Sequence, residues 1–149
     1  RVSMAYATQA QLTPLRLTNQ DLIDLTDDAD TGDINTATVA AALEEASGRV
    51  DSYCRNRYAT PLQTSDDVVG LTLDIAVYLL FSRRRETNVG ETVLARFNQA
   101  ISFLKDVGAA RASLDQPSGD TPQTSLGGPT ISRKDRHLAF SDRNLEGFV

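Results

Sequence analysis

The sequence predicts an all-α fold, a small bundle of three long and two short helices followed by an extended C-terminal arm. Three observations carry that reading. Apolar residues recur at three and four in three separate stretches, the period of a helix face. Capping residues stand ahead of those stretches, and no pair of alternating runs joined by a tight turn occurs before residue 114.

Thr8 or Thr13 can cap a first short helix, and Thr18-Asn19-Gln20-Asp21 is a capping box ahead of Leu22, Ile23 and Leu25, so a second short helix should end near Thr26. The acidic run from Asp27 to Asn35 breaks the pattern. From Thr36 to about Tyr58, Val39, Leu43, Ala46, Val50, Tyr53 or Cys54 and Tyr58 line one face, with Glu44, Glu45, Arg49, Asp51 and Arg55 opposite.

Thr60-Pro61-Leu62 interrupts. Ser65 then offers an N-cap, with Asp66 and Asp67 in the first turn where carboxylates favour the helix dipole. The helix expected from Asp67 to about Arg84 is apolar around most of its circumference, which makes it the central element. After Asn88-Val89-Gly90, a last helix from Glu91 to about Ala110 is one-faced through Val93 or Leu94, Phe97, Ile101, Leu104 and Val107. Leu71, Ile75, Tyr78, Leu79, Val50, Phe97, Ile101 and Leu104 are the predicted shared core.

The expected organisation is a body over residues 1–114, a linker over 115–135 rich in turn formers, and a docking arm over 136–149. Thr130-Ile131-Ser132 and Leu138-Ala139-Phe140-Ser141 alternate as short extended segments. Leu138, Phe140, Leu145 and Phe148 beyond a polar linker need a surface to bury them. The arm is therefore expected to bind a partner through these residues together with Arg143.

With 149 residues and a net charge of −5, the chain is one domain with appendages. Residues 1–51 carry nine acidic against three basic side chains, a balance that repels phosphate and disfavours a dedicated nucleic-acid binder. The longest apolar run, residues 76–81, is far too short to span a bilayer, and no signal-peptide pattern opens the chain. A soluble, intracellular protein is expected, with Met4 a plausible start after Arg1-Val2-Ser3.

The candidate chemistry is thin, and no enzyme is expected. Asp28-Ala29-Asp30-Thr31-Gly32-Asp33-Ile34-Asn35 resembles a calcium loop, but Gly32 falls where a ligand belongs and Val39 stands where the closing bidentate acid should be. No metal site is predicted. Cys54 cannot form an internal disulfide and reads as a packed thiol; His137, the lone histidine, has no Ser or Cys partner nearby. Asp74 in the apolar helix reads as paired with an arginine of a neighbouring helix. Arg83, Arg84 and Arg85 complement the exposed carbonyls at a helix end and are candidates for inter-subunit ion pairs. No glycine-rich phosphate loop follows a strand, and no cofactor is expected.

The order of features resembles a known family. Tyr6-Ala7-Thr8-Gln9, Leu25-Thr26-Asp27 before the acidic turn, Asp51-Ser52-Tyr53, Arg57-Tyr58-Ala59-Thr60-Pro61-Leu62 and Leu73-Asp74-Ile75-Ala76-Val77-Tyr78 with its trailing arginines are similar to small Mu-like tailed-phage and prophage proteins grouped with head-to-tail connectors, or adaptors. The ending from Phe140 to Phe148 is similar too, whereas Thr13-Pro14-Leu15-Arg16 departs from the family pattern. The resemblance implies a helical subunit of a ring, commonly twelvefold, in the virion neck. Its partners would be further copies of itself, the portal protein, and a tail-completion or stopper protein, with DNA passing through the lumen unbound. An acidic body suits that passage. The rival readings are a soluble regulatory or chaperone-like interaction module, and a metal- or nucleotide-dependent enzyme, which would require Asp28, Asp30, Asp33 and Asp74 to converge.

Overall fold

The computed structural model describes residues 4–13, 16–84 and 88–117. Five helices form, α1 (Gln9–Leu12), α2 (Asn19–Thr26), α3 (Thr36–Cys54), α4 (Asp66–Arg83) and α5 (Glu91–Gly108), with no strand among the described residues. The fold is all-α, as the periodicity predicts.

Local chemistry sets the helix starts. The Thr8 N–H donates to Gln11 Oε1 at 2.8 Å ahead of α1. At α2 the box closes both ways, with the Asp21 N–H on Thr18 Oγ1 at 3.1 Å and the Thr18 N–H on Asp21 Oδ2 at 2.9 Å. Those donors, the Thr18 backbone N–H first and its hydroxyl second, hold the Asp21 carboxyl below its ordinary range. Asn35, read from the sequence as the end of the acidic run, caps α3 by accepting the Thr38 N–H at 3.1 Å.

The third helix stops at Cys54 and does not reach Tyr58. The N–H groups of Arg57 and Tyr58 both turn back to the Cys54 carbonyl, at 2.9 Å each, which closes the helix in a tight turn. The Tyr58 side chain stays buried, and its hydroxyl accepts the Leu114 N–H at 3.1 Å. At the end of α5, Ala110 is left-handed (φ 61°), the Arg111 N–H bonds the Asp106 carbonyl and the Ala110 N–H bonds that of Val107. This is a Schellman closure with alanine where glycine is favoured.

α4 packs most extensively on α3 and next on α5, while α1 touches both α3 and α4 and α2 touches α4. Val50, Ile75 and Leu104 are buried as predicted, but Leu71, Tyr78, Leu79, Phe97 and Ile101 are half-buried and sit at the margin of the core. Places in the core are taken instead by Tyr6, Ala7, Leu12 and Leu17 from the start of the chain and by Leu114 from its other end. Short apolar stretches outside any long periodic run give no signal of this kind.

Tyr6 is the pivot of that added layer. Its backbone N–H donates to Ser47 Oγ at 3.0 Å, its hydroxyl donates to Asp51 Oδ1, and the same oxygen accepts the Leu62 N–H at 2.7 Å. One phenol thus ties the N-terminal segment to α3 and to the α3–α4 loop. The same α3–α4 loop also holds the C-terminal side of the body: Arg57 donates to the Val107 and Ala112 carbonyls, and Gln116 pairs with the Gln63 backbone in both directions, at 2.7 and 2.8 Å. The chain is therefore held to the body through Gln116. The linker beyond residue 117 and the arm, including both predicted extended segments, lie outside the described residues.

Candidate interaction surface

The acidic run that breaks the helix pattern is folded onto the arginine end of α4. Asp27 organises the run, accepting the Gly32 N–H at 2.6 Å, the Ala29 N–H at 3.2 Å and the Thr31 hydroxyl at 3.1 Å. Gly32 adopts φ 78°, a left-handed conformation that a side chain would oppose. Arg83 forks onto Asp28 with bonds of 2.7 and 2.8 Å and also reaches the Leu25 carbonyl at 2.9 Å. Arg84 donates to the Asp27 carbonyl at 2.7 Å. Both carboxyls are held below their ordinary range, Asp27 chiefly by the Thr31 and Gly32 backbone N–H groups and Asp28 chiefly by the Arg83 fork. The same contact raises Arg83.

Two of the three arginines singled out for inter-subunit pairing, Arg83 and Arg84, thus make contacts within the chain, and Arg85 lies outside the described residues. The loop that resembles a calcium site has its leading carboxylate, Asp28, engaged by the Arg83 fork. Among the described residues no group of three or more metal-ligating side chains is gathered.

Asp74 is paired with arginine as expected, but the partner is Arg16 in the connection from α1 to α2 and not a residue of a neighbouring helix. The two side chains approach to 2.9 Å between Nε and Oδ1, 28% and 19% exposed. The N–H is not aimed along the oxygen, so the contact is an ion pair without a formed hydrogen bond, between two atoms buried from solvent. Asp28 and Asp74, which an enzyme reading would bring together, are engaged by different arginines. Cys54 is fully buried, and burial with the nearby Asp51 charge pushes its thiol up to about 11, far from a thiolate nucleophile. His137 and the arm residues Leu138, Phe140, Arg143, Leu145 and Phe148 lie outside the described residues.

Surface relief is concentrated around α4. Between α3 and α4 runs an open groove of about 700 Å³, floored by Ala41, Ala42, Leu79 and Leu80 and rimmed by Arg49 and Arg83. The sequence held a signal for it, since Ala37 and Ala41 occupy the outward side of α3, where long polar residues are the rule. Between α4 and α5 two clefts of about 210 and 310 Å³ share Asp74 and Arg96 in their walls. Tyr78 of α4 stacks on Phe97 of α5, ring centroids 3.9 Å apart and planes 15° from parallel, and both rings are half-buried. Leu94 beside them is 42% exposed.

The family model described as Bacteriophage Mu, Gp36 matches residues 6–132. The chain belongs to the bacteriophage Mu Gp36 family. The match takes in every described helix and continues past the end of the described body. Family membership makes this a protein of the Mu-like phage kind, as the resemblance implied, and points to a structural or morphogenetic role. No curated protein matches the chain. No helix among the described residues is long and apolar enough to cross a membrane.

Proposed function

We propose that the protein is a head-to-tail adaptor of a Mu-like phage, forming a ring beneath the portal in the virion neck and making or breaking no bond. The observation that carries this reading is the Mu Gp36 family match over residues 6–132. The physical chemistry supports it. α4 is apolar around most of its circumference, and its Leu71, Tyr78, Leu79 and Phe81 stay only partly covered, as does Phe97 of α5. Apolar surface left in that state is what a closed ring of heterologous contacts covers.

In this role the partners are further copies of the chain, the portal protein on one face and a tail-completion or stopper protein on the other. DNA slides through the lumen without specific binding, which the net charge of −5 favours. The C-terminal arm over residues 136–149 docks on a neighbouring subunit. The experiment is co-expression with the portal protein of the same phage, followed by co-sedimentation and electron microscopy. Rings capping the portal are the expected result. A protein that stays off the portal and is missing from purified virions would refute the role.

A further inference from the structure

The cleft of about 310 Å³ between the start of α4 and the latter half of α5 joins apolar walls to an acidic end. Gly70, Leu71, Ala100 and Phe103 line it, and Asp66 and Asp67 stand where α4 begins. Both carboxylates are exposed and unbonded among the described residues. Asp115, likewise exposed and unbonded, adds a third at the same end of the body, since Gln116 beside it is tied to Gln63, three residues ahead of Asp66. Asp74 in the wall is taken by Arg16. Arg96 lies about two turns of α5 away from Phe103, toward the other end of the bundle, so like charge confines a cationic occupant to the acidic end.

The occupant follows from charge and from where the chain leaves the body. The described residues carry nine basic and fifteen acidic side chains, a balance of −6. Beyond residue 117 the balance is zero, but three of the four cations there fall within Ile131-Ser132-Arg133-Lys134-Asp135-Arg136, which carries +2. We propose that residues 131–136 seat at the acidic end of the α4–α5 cleft of their own chain, drawn by Asp66, Asp67 and Asp115, with Ile131 as the apolar residue for the Leu71–Phe103 wall. The attraction is between net charges and requires no particular pairing.

The tether favours the same chain over another copy. The chain leaves the body at Gln116, beside this end of the cleft, and residues 118–130 intervene. Extended, they reach up to about 45 Å, whereas Leu71 is only about 8 Å along α4 from Asp66. A short tether presents its segment at millimolar effective concentration. Asp30 and Asp33 are exposed too, but their loop is closed by Arg83 and Arg84 at the far end of α4, about 26 Å from Asp66. Seated in this way, the segment starts the arm from a fixed point beside α4 and leaves residues 137–149 to reach a neighbour. The anchor forms within one chain, so it stands or falls independently of the ring.

The test uses the full chain. Ser132→Cys carries a nitroxide spin label, which the buried Cys54 does not take up, and amide NMR signals are read in protein labelled with a heavy nitrogen isotope. Expected is broadening of residues 66–71 and 100–104, absent when the nitroxide is carried by an admixed copy of ordinary isotope content. Asp66→Asn with Asp67→Asn, and separately Arg133→Gln, Lys134→Gln and Arg136→Gln together, should each lower the docked-to-free ratio about fivefold, the worth of two exposed ion pairs. Salt at about 1 M should act in the same direction. Circular dichroism checks the folding of the aspartate variants, and the second set of substitutions lies outside the body and decides the matter if they unfold.

Broadening confined to residues next to 117, broadening centred on residues 27–33, broadening that arises only between copies, or a pattern indifferent to salt and to both sets of substitutions would each overturn the proposal.

Discussion

Tyr6→Phe removes one oxygen and should destabilise the protein well beyond what a surface hydroxyl is worth. The ring and its packing are conserved by the change, so the loss reports on hydrogen bonding alone. Two bonds end on that oxygen: the one it donates to Asp51, and the one it accepts from the Leu62 N–H at 2.7 Å in a buried setting. Orphaning a buried N–H costs about 1–3 kcal/mol and the bond to a carboxylate adds about 1.5 more, so a loss of about 2.5–4.5 kcal/mol is expected. Urea unfolding at neutral pH, followed by circular dichroism at unchanged slope, measures it.

Alkaline pH supplies a second readout of the same oxygen. Burial, reinforced by the Asp51 bond, raises the phenol far above its ordinary 10.0. A raised folded pKa contributes stability that is intact below the unfolded value and is lost as pH climbs past it. The wild type should therefore lose stability above pH 10.0 more steeply than Tyr6→Phe, and the difference between the two should shrink. Cys54, raised from 9.0 to about 11, gives both proteins a shared earlier decline that cancels in the comparison. A neutral-pH loss below about 0.5 kcal/mol, the range of ordinary surface changes, would refute the pivot.

Three further outcomes follow from the packing. Leu80 is fully buried and Leu79 is not, so Leu80→Ala should cost about 2–5 kcal/mol and Leu79→Ala clearly less; equal losses in calorimetry would contradict the assigned face of α4. A Cβ on Gly108 would stand 2.9 Å from the Tyr53 carbonyl oxygen, so Gly108→Ala should cost about 1–3 kcal/mol by forcing α5 off α3, and a neutral result in urea unfolding would exclude that close approach. Arg83→Ala should let the Asp28 carboxyl rise toward its ordinary 3.8, seen by NMR titration; its stabilising effect, present above that value and lost as pH falls through the depressed one, should go with it.

The long helices were legible because each buries a face wide enough to impose a period, and the Thr18 box because both halves of its bond lie within four residues. α3 was overextended for a physical reason: Tyr58 keeps the apolar period after the backbone has turned at Cys54, so side-chain pattern and main-chain path part there. The Tyr6 pivot was not legible. Its partners are 41, 45 and 56 residues away, and a lone tyrosine in a polar segment shows no periodicity to read. Arg16 was missed as the partner of Asp74 on similar grounds, since a connection between short helices gives no hint of which face it will cover.

Charge was the least legible property, and the arginines show why. The run Arg83-Arg84-Arg85 draws attention by density, yet density at a helix end follows from the exposed carbonyls there, and the acidic loop needs closing cations of its own. Asp27 and Asp28 therefore already engage Arg83 and Arg84 inside the subunit. Arg96 in α5 has nothing in its neighbourhood of sequence to mark it, yet it lines both α4–α5 clefts without an acidic partner among the described residues. A cation's availability depends on what the fold sets against it and not on how many cations stand beside it. For a protein whose proposed work is docking, the side chains to examine first are accordingly those the subunit's own electrostatics leave unspent.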